Sequence, residues 1–324
     1  MLKQMNEVSN MIDIVAECRD AKTIGISGHI KPDGDCIGAT LALSLYLKKR
    51  LPEAEVTVFS DPLSPAFSCV PGIDTFCTSF DKPNPEIFIV VDTVDNRIGN
   101  AEKYFKNANK TINIDHHVSN ESGCGMINYV VPTASSASEL IYDLIEKTYI
   151  DEQIATALYL GIAHDTGIFK YSNTSPKTLR IVAELVEFGF DFTDLLDKTY
   201  YEKSYSQNLA LGRILLESRL FMDGRVIYGF MDLKTMNAMQ VDSGDFDGVI
   251  NQLRITKGVE CAIFMYQMNS CTYKVSLRSA QFVDVARIAV SFGGGGHKRA
   301  AGFYVKGNPE DILQQILSLI EVDL

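Results

Sequence analysis

The sequence has no apolar run approaching the ~20 residues that cross a bilayer, no internal repeat, no heptad pattern and no low-complexity tract. These absences exclude a helical membrane span, a solenoid, a coiled coil and an adhesive structural role. Positive charge is also in short supply: 30 Lys and Arg stand against 41 Asp and Glu, a net charge of −11. A processive binder of long nucleic acid needs a basic track to release counterions, so long duplex DNA or RNA is excluded as a partner. A small phosphorylated ligand, held by a few local cations or backbone amides, is not. Seven cysteines, an odd number without a Cys-x-x-Cys pair, form neither a disulfide framework nor a zinc-finger pattern. The N-terminal segment Met1–Glu7 carries acidic and amide residues where a secretory signal needs an apolar block. A soluble, cytoplasmic protein is the resulting expectation.

What is present is an ordinary globular composition of 324 residues, enough for about two domains with cores that need no metal or disulfide support. Apolar spacing predicts an amphipathic helix over 4–20, a strand over 23–27, a helix over 34–49 and strands over 56–59, 87–91 and 111–114. Ser60–Pro85, rich in Pro, Ser and Asp, reads as a longer excursion. Helical patterns follow at 135–147, 153–163 and 176–188. Residues 192–216 read as a helical connector. Beyond it, strands are predicted at 226–231, 259–266 and 272–277, interleaved with helices at 246–255, 282–291 and 309–321. The pattern is α/β, with a parallel sheet in the N-terminal part and a smaller α/β domain after it.

Histidine is scarce, and all five copies sit in dense polar clusters: His29 in 28–35, His116 and His117 in 115–120, His164 in 164–167 and His297 in 296–299. Clusters 28–35, 92–97 and 115–120 each follow a strand directly, where ligands of open α/β sheets collect. The cluster at 164–167 leaves a helix and is expected to reach the same crevice. Together His29, Asp33, Asp35, Asp92, Asp115, His116, His117 and Asp165 supply imidazole and carboxylate groups from four segments. Any one aspartate after a strand is ordinarily an N-cap or turn residue. So many carboxylates in one crevice, however, repel unless cations offset them. Mixed nitrogen and oxygen donors suit Mn²⁺, Fe²⁺, Co²⁺ or Zn²⁺, and six or more ligands suit two ions about 3.5–4 Å apart.

His29-Ile-Lys-Pro-Asp33-Gly-Asp35, Asp92-Thr93, Asp115-His116-His117 and Asp165-Thr-Gly resemble the four motifs of DHH-family phosphoesterases. The run from Gly293 to Gly302, with His297 and Arg299, resembles the signature of that family's DHHA1 domain. Size and layout are closest to the nanoRNase/pAp-phosphatase branch of the RecJ-like superfamily. The resemblance implies a DHH catalytic domain over 1–190, a linker helix over 191–215 and a DHHA1 substrate-binding domain over 216–324. It implies two divalent cations, Mn²⁺ foremost. One would lie on His29, Asp33 and Asp92, the other on Asp35, Asp92, His116 and Asp165, with Asp92 bridging. His117 would face the scissile phosphate and Asp115 would orient a neighbouring imidazole. His164 stands where family members commonly carry a small residue or Thr. It reads as a neighbour without metal contact, because adjacent side chains diverge.

Four consecutive glycines are a poor choice for a packed element and suit backbone amides that approach an anion or a flat base. Gly294, Gly295, Gly296, His297 and Arg299, with Arg278 and Ser279 at the end of a predicted strand, are therefore expected to clamp a nucleotide's terminal phosphate or base. Such a clamp would act as a ruler for short substrates. The expected reaction is hydrolysis of nanoRNA of two to five nucleotides, of pAp, or of both. Alternatives are a linear or cyclic dinucleotide (pApA, c-di-AMP) phosphodiesterase, a short-chain exopolyphosphatase, and a catalytically silent nucleotide-binding regulator. A homodimer is the ordinary prior for such an enzyme.

Overall fold

The structure is a computed structural model that describes residues 11–120 and 122–324. It divides into two compact units that part between Glu202 and Lys203.

In the N-terminal unit, β1 (Thr23–Ser27), β2 (Glu55–Val58), β3 (Ile87–Val91), β4 (Lys110–Asp115) and β5 (Ile127–Val130) form one sheet in the order β2-β1-β3-β4-β5, parallel throughout. Strand β3, Ile-Phe-Ile-Val-Val, is buried along its whole length, as a central strand covered on both faces must be. Ile87, Ile89 and Val91 join Ile24, Ile26, Ile112 and Ile114 in the larger core. Phe88 and Val90 point the other way, onto Phe59 and Tyr104. The helices in order are α1 (Ile14–Cys18), α2 (Gly34–Arg50), α3 (Glu102–Asn107), α4 (Ala137–Leu144), α5 (Glu152–Asp165), α6 (Pro176–Val186) and α7 (Phe192–Leu196). Helix α1 covers part of the expected 4–20 helix, whose residues 4–10 lie outside the described residues.

Helices α2 and α5 cross at glycines. A Cβ on Gly38 would come within 2.3 Å of the Ala157 carbonyl oxygen, and one on Gly161 within 1.9 Å of Ser138 Oγ and 2.7 Å of Asp35 Oδ1. Only hydrogen fits at either point, so the backbones approach closely and bring the start of α2 beside the end of α5. A chain in this order reverses direction between β1 and β3. That is the switch point where open α/β sheets hold their ligands.

The stretch read as a linker, 191–215, is divided. Helix α7 and a π-helical turn at Asp197–Tyr201 belong to the N-terminal unit, and α8 (Tyr205–Leu216) begins the C-terminal one. That unit contains β6 (Arg219–Phe221), β7 (Val226–Met231), α9 (Leu233–Met239), α10 (Val249–Arg254), β8 (Cys261–Gln267), β9 (Thr272–Ser279), α11 (Val285–Ser291), β10 (Gly295–His297), β11 (Ala300–Lys306) and α12 (Pro309–Glu321). The strands form a mixed sheet, β10-β11-β9-β8-β7-β6, parallel only between β7 and β8. Its two faces alternate residue by residue. Cys261, Ile263 and Met265 pack towards α11 and α12, while Ala262 and Phe264 pack towards α8, α9 and α10.

The glycine run enters an edge hairpin, in which residues 295–297 pair antiparallel with 300–302. A Cβ on Gly294 would strike Gly302 O and Phe303 Cβ, each at 2.4 Å, and one on Gly296 would strike Ala300 O and Ala301 Cα at 2.5 Å. Strand-to-strand approach thus accounts for two of the four glycines. Among the described residues no helix is long and apolar enough to cross a membrane.

Candidate active site

Each of the first three polar clusters is placed by the end of a strand. After β1 the chain turns through His29 to Asp33, which caps α2: its Oδ1 accepts from the backbone N–H groups of Asp35 and Cys36 at 3.1 Å. Its other oxygen, Oδ2, lies 3.5 Å from His29 Nε2. One oxygen of the carboxylate thus caps the helix while the other faces the imidazole. His29 donates from Nδ1 to the Ile30 carbonyl oxygen at 2.8 Å, which leaves Nε2 as the nitrogen facing the carboxylates.

Asp92 follows β3 in the left-handed region, φ 59°, held by its N–H to Ile114 O at 2.9 Å. Asp tolerates this conformation better than most residues, though at a cost of about 1–3 kcal/mol. It aims one carboxylate between two histidines: Oδ2 lies 3.4 Å from His29 Nε2 and Oδ1 3.4 Å from His116 Nε2. Asp35 is fully buried on the first turn of α2. Its two oxygens accept from the Ala137 and Ser138 amides at the start of α4, at 2.7 and 2.9 Å, while Oδ2 stays 3.8 Å from His116 Nε2. Asp165, at the end of α5, places Oδ2 3.8 Å from the same nitrogen. Asn173 Nδ2 holds it through its carbonyl at 3.1 Å and its carboxylate at 3.3 Å.

Asp115 is a buried hub. Its Oδ1 accepts from the His116 and His117 amides and from His117 Nδ1 at 2.7 Å, and its Oδ2 accepts from Asn120 Nδ2 at 2.6 Å. Asn120 also donates to Asn113 Oδ1, and Asn113 in turn donates to Thr93 O. The proton of His117 is thereby fixed on Nδ1 and Nε2 is left free on a half-exposed ring.

The charges follow from this crowding. Burial opposes a charged imidazole, but Asp33 and Asp92 outweigh it and lift His29 to about 10. Burial likewise opposes His116, and Asp92, Asp35 and Asp165 lift it to about 10. The Asp115 hydrogen bond is the main cause that raises His117. Burial raises Asp92, but His116 and His29 more than reverse it, to about 2. Asp35 is raised by burial and by Asp92 and Asp165. Burial also raises Asp165, to about 6. The donors balance their charge through protons that a divalent cation would displace.

The donor set fits such a cation. Asp92, His116 and His117 offer donor atoms within 4.8 Å of one another, as do Asp35, His116 and Asp165, and also His29, Cys36 and Asp92. The 3.4–3.8 Å spacings exceed by about 0.4–0.8 Å the ~3 Å edge of an octahedron built on ~2.1 Å bonds, so the side chains would draw in slightly around an ion. His164 is not part of the set. Its ring packs on Gly34, its Nε2 meets Thr199 Oγ1 at 3.0 Å, and burial drops it to about 4.

In the C-terminal unit, the seven residues singled out from the sequence divide into two kinds. Ser279 is buried and donates to Val283 O at 2.7 Å, and Arg299 Nη1 reaches the same carbonyl at 3.2 Å. Both brace the 280–283 turn, whose amides converge on the buried carboxylate of Glu260. Gly294 and Gly296 serve the hairpin. Gly295 and His297 are exposed, whereas Arg278 is partly buried and donates from Nη1 to Leu277 O at 3.0 Å; burial followed by nearby Arg254 lowers it. Asn113, Asn120, Asn173 and Glu260 lie outside the ionisable clusters, so the sequence alone does not single them out. Only the placement of Asn113 and Asn120 at either end of the Asp-His-His stretch hints at them.

Comparison with known proteins agrees with this geometry. Residues 23–162 match the DHH family, N-terminal domain, and residues 223–322 match the DHHA1 domain. The chain is 30% identical over 309 residues to the bifunctional oligoribonuclease and PAP phosphatase NrnA of Thermus thermophilus, covering 93% of this chain and 90% of that one. It is 32% identical over 321 residues to a probable bifunctional oligoribonuclease and PAP phosphatase NrnA of Streptococcus mutans, covering 95% and 98%. The crystal structure of an exopolyphosphatase-related protein from Bacteroides fragilis superposes with a TM-score of 0.85 at 25% identity, over 95% of this chain and 94% of that one. On relatives aligned along nearly their whole length, and on two domains matched in order, the chain belongs to the DHH–DHHA1 family.

Proposed function

We propose that this protein is a metal-dependent phosphoesterase that hydrolyses short nucleotides, oligoribonucleotides of a few residues or pAp, with two divalent cations, Mn²⁺ by preference. The observation that carries the reading is the convergence of His29, Asp35, Asp92, His116 and Asp165 from four separate segments, with nitrogen-to-oxygen spacings of 3.4–3.8 Å. His29, Asp33 and Asp92 would hold one cation, and Asp35, Asp92, His116 and Asp165 the other. When bound, the pair supplies Lewis acidity at phosphorus and lowers the pKa of water. The rest of the chemistry belongs to side chains. Asp115 holds His117 with its proton on Nδ1 and keeps the ring readily protonated, so that Nε2–H can donate to the leaving oxygen. Asn120 and Asn113 keep the Asp115 carboxylate from turning. Arg278, Gly295 and His297 would offer a guanidinium, an exposed edge-strand glycine and an imidazole to a terminal phosphate or base. The names of the relatives support the nucleotide class.

The test is a product-resolved assay of chelator-stripped, Mn²⁺-restored protein on pAp, pApA, c-di-AMP, two-to-five-nucleotide RNA and short polyphosphate. Turnover of the nucleotides, lost on chelation, is expected. Activity confined to polyphosphate would move the substrate class, and binding without product release would make the protein a regulator.

A further inference from the structure

The sulfur of Cys36 stands beside the metal-type cluster, and the proposed chemistry gives it nothing to do. Cys36 lies on the first turn of α2 and is 2% exposed. Its Sγ, a nitrogen of His29 and an oxygen of Asp92 lie within 4.8 Å of one another, and all three side chains are buried. The placement of the sulfur is enforced from behind. A Cβ on Gly28 would come within 2.1 Å of Sγ, so the thiol fills the space that a side chain at residue 28 would take. Asp33 Oδ1 holds the Cys36 amide from the other direction at 3.1 Å. The His29 backbone amide approaches the sulfur, which keeps it on the His29 side of the cluster.

We propose that Cys36 turns the His29–Asp92 position into a nitrogen–sulfur–oxygen site that accepts thiophilic cations of the Zn²⁺ and Cd²⁺ class more tightly than Mn²⁺. The inference rests on the reading of His29 and Asp92 as ligands. Hard cations such as Mn²⁺ are satisfied by the carboxylates and imidazole and gain little from sulfur, whereas Zn²⁺ and Cd²⁺ gain a strong bond. Binding exchanges the thiol proton for the cation and changes no oxidation state. A thiophilic ion seated there would occupy the position that the hydrolytic reaction needs, so the same residue makes the enzyme sensitive to these metals.

The test uses chelator-stripped full-length protein under anaerobic conditions, with Co²⁺ and Cd²⁺ as probes, in wild type, Cys36→Ser and Cys36→Ala. Wild type should show a near-ultraviolet sulfur-to-cobalt charge-transfer band that saturates with the bound ion and is missing from both variants. The ratio of Cd²⁺ to Mn²⁺ affinity, from competition titration, should fall about tenfold or more in the variants, while Mn²⁺ affinity moves by less than about threefold. The serine variant keeps the shape of the site, which separates loss of sulfur from loss of packing. Stoichiometric Co²⁺ binding by wild type without the band, or a band that persists in both variants, would overturn the sulfur contact and leave the reading of His29 and Asp92 standing. Failure of wild type to bind Co²⁺ at all would overturn both.

Discussion

The contact between α2 and α5 links packing to the metal-type cluster, and Gly161→Ala tests that link with a sign that ordinary helix propensity does not give. Alanine in place of glycine inside a helix normally stabilises by about 1 kcal/mol. At Gly161 the new methyl would meet Ser138 Oγ at 1.9 Å and Asp35 Oδ1 at 2.7 Å, and Asp35 is already fixed by the α4 amides. Overpacking of this kind costs about 1–3 kcal/mol, which cancels or exceeds the propensity gain. The net change should be a loss of up to about 2 kcal/mol. Relief requires α5 to move away from Ser138 on α4 and from Asp35 on α2, which separates Asp165 from Asp35. Mn²⁺ affinity should then fall about tenfold or more, the effect of disturbing the groups that hold a ligand in place. Gly212 in α8 is the control, since a Cβ there meets nothing within 4 Å and Gly212→Ala should stabilise. Urea denaturation of both variants and Mn²⁺ titration by electron paramagnetic resonance supply the readings. If Gly161→Ala stabilises as much as Gly212→Ala and leaves Mn²⁺ affinity unchanged, the crossing does not set the spacing of the site and the reasoning fails.

Three further outcomes are expected. His117→Ala should keep near-normal Mn²⁺ content while turnover falls by roughly 10²–10⁴; loss of bound metal would instead make His117 a ligand. Arg278→Ala should raise KM with little change in kcat, and an unchanged KM would remove Arg278 from the substrate site. Glu139 is buried, but Ser135, Thr178 and Lys177 outweigh burial and hold its carboxyl below the usual range. Its folded pKa is below the unfolded value of about 4.3, so it stabilises the fold above that pH and the contribution is lost as pH falls through the folded pKa. Glu139→Gln should cost about 1–3 kcal/mol at pH 7 in urea denaturation, with the deficit shrinking only as pH falls below about 4 and through the folded pKa; a deficit that stays undiminished down to about pH 2 would contradict the assignment.

Much of the N-terminal unit could be read from local pattern, because β1, β3 and β4 are short apolar runs and each ends where a polar cluster begins. That coincidence of strand end and cluster also marked out the ionisable residues that meet around Asp92. Elements decided by distant partners were less visible. Strand β11 is predominantly small at its start, Ala-Ala-Gly, and becomes a strand because β9 pairs with it along its length. The edge strands β5, β6 and β10 are four, three and three residues long, too short for an alternating pattern to register. Asn113, Asn120 and Glu260 act through geometry: an amide or carboxylate becomes a hub only when the chain folds donors around it. Ser279 and Arg299 show the converse, since polar side chains beside a glycine run suggest a ligand, yet here they satisfy the Val283 carbonyl.

In the proposed site, four separate segments share a pair of cations across Asp92. Crystals grown with Mn²⁺ and measured at the manganese absorption edge test it most directly. Two anomalous peaks about 3.5–4 Å apart are expected, one against His29 and Asp33, the other against Asp35, His116 and Asp165, with Asp92 touching both. A single peak, or none within bonding distance of Asp92, would contradict it.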